Sequence, residues 1–410
     1  MSHSFLRAAA LAAACTPALA AAAPLTLDQA LALAVARSQA TRSAQAGVAS
    51  ASEAAHAAVQ LPDPMLQAGL DNLPVAGGRA FDPASDSMTQ KRIGISQEWL
   101  SADKRATRRA AADAMVGRES VAAQAAVAEV RLQTALAYVD VHYADATLAL
   151  TELMAHHAHE ELEAAKGRVA SAAGSEQEAL ALTAARGAAE DDAAEIRQAR
   201  SVAEASLRRW IGAPIDTTSE PQLPPTPTEQ DYVAKAPDVR AAQAALEVAR
   251  RDAAVTAANR SPNWTWQVSY GQRSGYADMV SVGVSIPLAI HPAERQDRET
   301  AAKQALVDQA DATLEEARRA ADGDYLALAA QARALEARIE RVHDTVVVPA
   351  RQRTVAALAG YRGGGVALST LFEARHAEVE AQRKLLDLQR QLATVRARLA
   401  FKPLQTGSAQ

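Results

Sequence analysis

Two short segments near the middle of the chain alternate strictly between apolar and polar residues. In the segment Asn263 to Gly271 the apolar positions hold two tryptophans, a valine and a tyrosine, and in Met279 to Leu288 they begin with three valines and an isoleucine. A repeat of two is the pattern of a β-strand that has one apolar and one polar face. We therefore predict strands over about 263–271 and 279–288.

The first half of the chain carries the same pattern on both sides of a loop rich in proline, glycine, aspartate and serine, and predicts strands over about 64–72 and 88–99. Hairpins of this kind are typical of transmembrane β-barrels, in which apolar side chains face lipid and polar ones face the lumen. The alternative, a sheet that covers a protein core, lacks an evident covering element. The predicted lipid-facing residues are Leu66, Leu70, Ile93, Ile95, Trp99, Trp264, Trp266, Val268, Tyr270, Val280, Val282 and Val284.

Four strands are too few to close a barrel, because the smallest membrane barrels have about eight. An open sheet edge is not tolerated in hydrocarbon, where water cannot satisfy its N–H and C=O groups. The missing strands must therefore come from other copies of the chain. Three copies, with twelve strands in total, are the natural choice, although the sequence itself does not establish the number of copies.

The rest of the chain predicts long helices rich in alanine, a strong helix former. No proline interrupts Ser101 to Val169, a run that corresponds to about 100 Å of helix at 1.5 Å per residue. The matching run in the second half contains Pro349, which we expect to bend or divide the helix. Both runs turn back at glycines, Gly174 and Gly363–Gly365, and return as shorter helices.

The two halves are related by an internal duplication. The correspondences are Arg42 with Arg240 and Pro64 with Pro262, each 198 positions apart, and Gly94 with Gly283 and Gly174 with Gly363, each 189 positions apart. We predict a first repeat over 21–222 with its helical tip near 174, a second repeat over 223–404 with its tip near 364, and a short tail at 405–410. The fold class is mainly α with a small membrane β part.

The N-terminus resembles a secretory signal peptide over residues 1–20. A short basic start is followed by an apolar run and by Ala18-Leu19-Ala20, which fits a cleavage site. A retained membrane anchor is the alternative, but the run is too short to span a bilayer. Cleavage removes Cys15, the single cysteine, and leaves no disulfide framework; lipid attachment at Cys15 is a second alternative.

Composition excludes several classes of protein. The net charge of −5 is mild and argues against a nucleic-acid surface. No later segment is apolar enough for a transmembrane helix. No catalytic motif such as G-x-S-x-G, H-E-x-x-H or a phosphate-binding loop is present, so we expect neither an enzyme nor a bound cofactor.

The whole mature chain resembles the TolC-like outer-membrane factors of tripartite efflux systems. The resemblance lies in the tandem repeat, in I-P-L at the end of the fourth strand, and in the tip segments A-A-G-S-E-Q-E-A-L-A-L-T-A-A-R and G-G-G-V-A-L-S-T-L-F-E-A-R. Two further segments, Leu61 to Pro74 and Lys91 to Arg105, resemble the heavy-metal branch, which includes cobalt–zinc–cadmium and copper–silver exporters.

The resemblance implies a homotrimer with a twelve-stranded barrel in the outer membrane and a helical tunnel that extends into the periplasm. It also implies that the tips dock on a periplasmic adaptor, which connects the duct to a proton-driven inner-membrane pump of the RND type. Export of organic drugs or type I secretion is the alternative within this family. A soluble periplasmic coiled-coil adaptor or scaffold is the alternative outside it.

We expect partner binding at the two tips, with glycines that allow tight turns and leucines that act as anchors. The residues are Gly174, Leu182, Arg186, Gly363, Gly364, Gly365, Leu371 and Arg375. His156 and His159 share a helix face and are candidate metal contacts, because imidazole binds zinc and copper. Histidines on a solvated helix need no metal, however, and a duct that binds its cargo tightly conducts poorly.

Overall fold

The computed structural model describes residues 24–405. The predicted signal peptide with Cys15, and the tail from 406 onward, lie outside the described residues. The elements in chain order are α1 (Leu27–Arg37), α2 (Gln39–Ala58), β1 (Met65–Asp71), β2 (Gln90–Trp99), α3 (Ala102–Ala170), α4 (Glu176–Ile211), α5 (Glu229–Lys235), α6 (Pro237–Ala258), β3 (Trp264–Arg273), β4 (Met279–Ser285), α7 (Gln296–Val342), α8 (Val348–Arg362) and α9 (Leu368–Phe401).

The strands form one antiparallel sheet in the order β1-β2-β3-β4, with β1 and β4 at its edges. The predicted alternation therefore does produce strands, with small differences at their ends. β3 continues two residues beyond the predicted end, to Arg273, and β4 ends at Ser285 rather than at Leu288. Pro287 gives a physical reason for the early end of β4, because proline has no N–H to donate to the ladder.

The helix α3 is a single element of 69 residues, about 100 Å long at 1.5 Å per residue. Its start is capped by the Ser101 hydroxyl, which accepts a hydrogen bond from the backbone N–H of Lys104. A helix of this length depends for its stability on the helices that run beside it. It packs on α2 and α6 near the sheet, and on α4 and α9 away from the sheet.

The corresponding run in the second repeat is divided, as expected from Pro349. A π-helical turn, His343–Val347, separates α7 from α8, and the proline stands at the second position of α8. Proline cannot donate to the carbonyl four residues earlier and its ring crowds that carbonyl. The wider π-helical turn accommodates this loss without ending the helical path.

The halves are joined by a proline-rich connector that packs on the middle of the molecule. The side chain of Tyr138 in α3 is fully buried there, and its hydroxyl lies 2.6 Å from the carbonyl oxygen of Leu25 and 2.8 Å from that of Ser219. Leu27, Leu207 and Phe401 belong to the same core cluster. The first and last described helices, α1 and α9, and the connector are thus tied to the long helix about halfway along it.

Within residues 24–405 no helix is long and apolar enough to cross a membrane.

Candidate functional site

The pairing register of the sheet brings all twelve predicted lipid-facing residues onto one face. Ile95 lies opposite both Leu66 and Val268, and Val268 lies opposite Val282. Directly opposite residues of antiparallel strands point to the same face, and alternate residues along each strand share that face. The apolar positions of the four strands therefore form continuous rows across the sheet.

This apolar face is exposed while the centre of the polar face is buried, the reverse of the arrangement in a water-soluble sheet. Val282 is 74% exposed and Leu66 is 72% exposed, whereas Ser96 and Ser269 on the other face are 2% and 9% exposed. In water such a surface would be strongly unfavourable, at roughly 25 cal/mol per Å² of apolar area. The sheet is therefore suited to an apolar surrounding medium on its outer side.

Glycines on the polar face allow the sheet to curve around it. A Cβ atom at Gly94 would lie 2.6 Å from the Cβ of Ser269, and one at Gly283 would lie 2.8 Å from the side-chain nitrogen of Gln267. Strand glycines mark places of close approach and bending. Because the small residues share the polar side, the sheet can bend towards that side, which is the direction of bending that would place the polar side in the lumen of a barrel.

A polar network holds the junction between the sheet and the helices. The sequence did not predict it. The ammonium group of Lys104 is buried and donates to the carbonyl of Ser261 and to the side-chain oxygen of Asn263. The side-chain nitrogen of Asn263 donates to the carboxylate of Glu98 at 2.7 Å. Burial lowers the pKa of Lys104. The network joins the start of α3 to the start of β3, and so fixes the two repeats against each other at the end of the sheet.

The helical tips show that one sequence correspondence is wrong. The helices that enter the two turns end at Ala170 and Arg362, and the helices that leave them begin at Glu176 and Leu368, each pair 192 positions apart. The offset of 189, from Gly174 to Gly363, holds for the second strand of each hairpin, since β2 begins at Gln90 and β4 at Met279, but it does not hold for the tips. The reason is that 286–295 forms a longer connection between β4 and α7 than the two residues between β2 and α3, whereas the second helical run, 296–362, is slightly shorter than α3.

The tip glycines have different physical roles. Gly364 adopts a φ of 74°, whereas Gly363 has a φ of −80° and ends α8 in an ordinary helical conformation. At Gly174 a Cβ would lie 2.9 Å from the Cβ of Arg168 and from the backbone nitrogen of Val169. Glycine is thus favoured at Gly364 by the left-handed backbone conformation. It is favoured at Gly174 because a side chain there would have no room.

The expectation that Leu182 and Leu371 are exposed docking anchors needs correction. Both are 2% exposed, because they pack together in a core between the two helical hairpins. The other members of this core are Leu162, Ala165, Ala357, Leu368 and Ala374. These leucines hold the two hairpins side by side, and docking at the tips stays a prediction for the exposed residues around them.

The predicted tip arginines form ion pairs within the chain. Arg186 binds Glu190 one turn along α4, at 2.7 Å. Arg375 of α9 binds Glu161 of α3 at 2.6 Å, and Glu161 is 4% exposed. Burial raises the pKa of Glu161, although the neighbouring Arg375 acts in the opposite direction. The second pair crosses between the two hairpins, so Arg375 also contributes to the contact that the leucine core makes.

Two histidines of α3 lie beside a neighbouring carboxylate. His156 and His157 lie 3.3 Å and 3.4 Å from the carboxylate of Glu160. Across residues 24–405, no three histidine, cysteine or acidic side chains are arranged to hold a metal ion. No third side chain within residues 24–405 therefore completes a metal site with His156 and His159, and a metal contact by these two histidines stays a prediction.

Solved structures of outer-membrane channels have the same fold. The outer membrane protein VceC from Vibrio cholerae matches with a TM-score of 0.73 and 18% identity, over 92% of this chain and 96% of VceC. CusC, whose crystal structures are described as showing transmembrane channel formation, matches with a TM-score of 0.73 and 16% identity over 92% of each chain. The open-state outer membrane channel MtrE from Neisseria gonorrhoeae matches with a TM-score of 0.72 and 17% identity, over 92% of this chain and 88% of MtrE. The predicted fold class is confirmed.

A sequence comparison gives a match over part of the chain. The family model described as outer membrane efflux protein matches residues 230–401, within the predicted second repeat. No curated protein matches the sequence. The expected outer-membrane location, and the expectation of a channel rather than an enzyme, agree with this family description and with the channels that share the fold.

Proposed function

We propose that three copies of this chain form the outer-membrane exit duct of a tripartite efflux system. The observation that carries this proposal is the exposed apolar face of a sheet whose two edges, β1 and β4, are unpaired within the described chain. Such a sheet is stable in hydrocarbon only when neighbouring copies pair with its edges and close a barrel. The polar face then surrounds a water-filled passage.

The helical part supports the same assembly. Near the sheet the helices pack in the order α2-α3-α6-α7, and towards the tips in the order α4-α3-α9-α8. In both helical layers, as in the sheet, the two outer elements come from different repeats. A cyclic trimer brings the first-repeat edge of each copy against the second-repeat edge of the next, and it does so in all three layers at once.

The tips are the proposed contact with a periplasmic adaptor, which links the duct to an RND-type pump. They lie at the end of α3 that is farthest from the sheet, about 100 Å away at 1.5 Å per residue. At that distance from the outer membrane, the turns 171–175 and 363–367 are the parts of the chain that reach an inner-membrane complex. The duct performs no chemistry, and selectivity belongs to the pump.

The proposed cargo is heavy-metal cations. This part of the proposal rests on the resemblance of Leu61 to Pro74 and of Lys91 to Arg105 to the heavy-metal branch. The lack of a three-ligand metal site in residues 24–405 is compatible with it, because conduction needs weak binding. The duct function and the cargo are tested separately.

The duct is tested by extracting the full chain from outer membranes with detergent and measuring its mass by chromatography with light scattering. A trimer that needs detergent to remain in solution is the expected result. A monomer that stays in the aqueous fraction would overturn the proposal, since its apolar sheet face would then have another explanation.

The cargo is tested by growth of a deletion strain on zinc, cobalt, cadmium, copper and silver, in parallel with a panel of organic drugs. We expect sensitivity to one or more metals, restored by the intact gene, with growth on the drugs unchanged. Sensitivity confined to the drugs would reject the metal cargo and leave the duct proposal standing.

A further inference from the structure

We propose that the segment 286–290, between β4 and α7, lies along the periplasmic leaflet of the outer membrane and contacts phospholipid with its apolar side chains. This inference rests on the barrel proposed above and adds a lipid contact outside its strands. The segment has no counterpart in the first repeat, where only Leu100 and Ser101 lie between β2 and α3.

The segment 286–290 continues the apolar pattern of β4. The valines of β4 occupy alternate positions on the apolar face, and Ile286, Leu288 and Ile290 follow at the same two-residue spacing. Leu288 is 81% exposed and Ile290 is 76% exposed, slightly more than Val282 in the predicted lipid-facing row. Residues 24–405 thus provide little apolar cover for these side chains.

The register of the sheet places the start of this segment at the membrane boundary. Trp99 lies opposite Trp264 at the end of the sheet nearest the helices, and their ring centroids are 6.1 Å apart. Thr265 lies opposite Ser285, so the next step of the same register places Ile286 opposite Trp264. Tryptophan is typical of the boundary between hydrocarbon and headgroups. The segment therefore begins at that boundary, on the periplasmic side.

The chain does not use this segment to move away from the membrane. Asp297, the second residue of α7, forms an ion pair with Arg260 at 3.2 Å, and Lys104, the third residue of α3, donates to the carbonyl of Ser261. Both helices therefore begin beside the same short stretch between α6 and β3. Ten residues precede α7, but only two precede α3. The additional residues must consequently loop out sideways along the end of the sheet.

The prolines favour phospholipid over a strand of another copy as the occupant of this surface. An extended segment at a sheet edge can recruit a further strand through its N–H and C=O groups. Pro287 has no N–H, and Pro292 removes a second donor just beyond Ile290. Acyl chains require only apolar side chains, which can be buried about 5–10 Å deep at the boundary with the headgroups. Water among the headgroups satisfies the polar backbone groups of the loop.

The test measures where these side chains lie in a bilayer. Leu288→Cys and Ile290→Cys are made singly in full-length chains that also carry Cys15→Ala, labelled with a bimane fluorophore, and purified as oligomers. They are reconstituted into vesicles of phosphatidylethanolamine and phosphatidylglycerol. The fluorescence is quenched either by iodide in the water or by phospholipids that carry a nitroxide near the headgroup or near the end of the acyl chain.

Two controls define the extremes. Val282→Cys, on the apolar face of β4, should be quenched most strongly by the nitroxide near the end of the acyl chain. Glu229→Cys, at the exposed start of α5, should be quenched by iodide only. It lies far from the membrane, because the next turn of α5 places Tyr232 against Asp324, about 40 Å along α7 from its start.

For Leu288→Cys and Ile290→Cys we expect the strongest quenching from the nitroxide near the headgroup. Iodide should quench both labels about threefold less than the label at Glu229, because side chains at the headgroup boundary are largely withdrawn from water. This result would support the phospholipid contact.

Other outcomes separate this inference from the proposed function. Quenching by iodide as strong as at Glu229 would place the segment in water and overturn the contact. Protection from both kinds of quencher would show that another copy covers the segment, and would also overturn it. In either case, quenching of the Val282 label by the deep nitroxide leaves the barrel proposal intact. A Val282 label that no lipid nitroxide quenches would overturn the barrel proposal and this inference together.

Discussion

At the residue scale, Ala172 and Gly364 occupy the same position in the two tip turns, 192 positions apart, and both have a left-handed backbone. Their φ angles are 58° and 74°. Glycine adopts this conformation freely, whereas an L-residue with a Cβ is strained by about 1 kcal/mol or more. The first tip therefore carries strain that the second one avoids. Aligning the two halves of the sequence at an offset of 189 does not pair these two residues, so the alignment could not show the difference.

Exchanging these residues tests that strain. Gly364→Ala should destabilise its tip by about 1 kcal/mol and Ala172→Gly should stabilise the other by a similar amount, because only the backbone conformation changes. A Cβ at Gly364 meets no atom within 4 Å, so steric contact does not contribute. The measurement is the rate of limited proteolysis at each turn in the detergent-solubilised protein.

Gly363→Ala is the matched control for Gly364→Ala, since Gly363 has an ordinary helical φ of −80°. Its proteolysis rate should stay close to that of the wild type. Equal effects of the two substitutions would show that the strain argument is wrong.

The buried pair of Glu161 and Arg375 gives a second prediction at this scale. Arg375→Leu should destabilise the contact between hairpins by about 3 kcal/mol, since it leaves a buried carboxylate without its partner. Adding Glu161→Gln to that variant should recover much of the loss. If the double variant is as unstable as the single one, the unpaired charge of Glu161 is not the cause of the destabilisation.

The same carboxylate predicts how stability depends on pH. Burial raises the pKa of Glu161 in the folded chain above its ordinary value of 4.5. Between 4.5 and the raised value the folded state binds more protons than the unfolded state, so stability increases as the pH falls through this window. Thermal unfolding from pH 7 down to pH 5 should show this gain in the wild type and a smaller gain in Glu161→Gln.

At the element scale, the strands were predictable from sequence, while several helix features were not. The two-residue alternation of Val280, Val282 and Val284 depends only on neighbours in the chain, so it identifies both the strand and its exposed face. The Glu161–Arg375 pair joins residues 214 positions apart, and no local pattern indicates it. The burial of Leu182 and Leu371 was missed for the same reason, since both the core and a docking surface require apolar residues at helical spacing.

The orientation of β4 gives a prediction with a neighbouring control. Val282→Arg places a charge on the apolar face, where such a change costs about 2–4 kcal/mol near the middle of a membrane. Ser281→Arg places the same side chain on the polar face, at a position that is exposed in the single chain. We expect Val282→Arg to reduce the amount of trimer in outer membranes strongly and Ser281→Arg to reduce it little.

Trimer levels are compared by immunoblot of unheated samples from outer membranes. A stronger loss from Ser281→Arg than from Val282→Arg would reverse the assignment of the lipid-facing and lumen-facing sides.

At the scale of the whole molecule, the two repeats are joined more by contacts than by the chain that links them. β2 pairs with β3 over ten residues, from Gln90 with Arg273 to Trp99 with Trp264, and α3 packs on both α6 and α9 of the second repeat. The Lys104 network adds a polar link at the sheet end. The connector between repeats is therefore not needed to hold them in place once they have folded.

Cutting the connector tests this statement. A protease site inserted after Pro224 should allow cleavage of the assembled protein without loss of the trimer, because the contacts across β2–β3 and α3–α9 remain. The cleaved and intact proteins are compared by light scattering in detergent. Release of either half after cleavage would show that the connector itself maintains the assembly.

The inverted burial of the sheet also has a consequence for biogenesis. A newly exported copy that has not met its neighbours would expose rows of valine, leucine and tryptophan to water, together with two free strand edges that can recruit any other extended segment. Such a species is prone to aggregation. We therefore expect insertion into the membrane and assembly of the copies to be coupled.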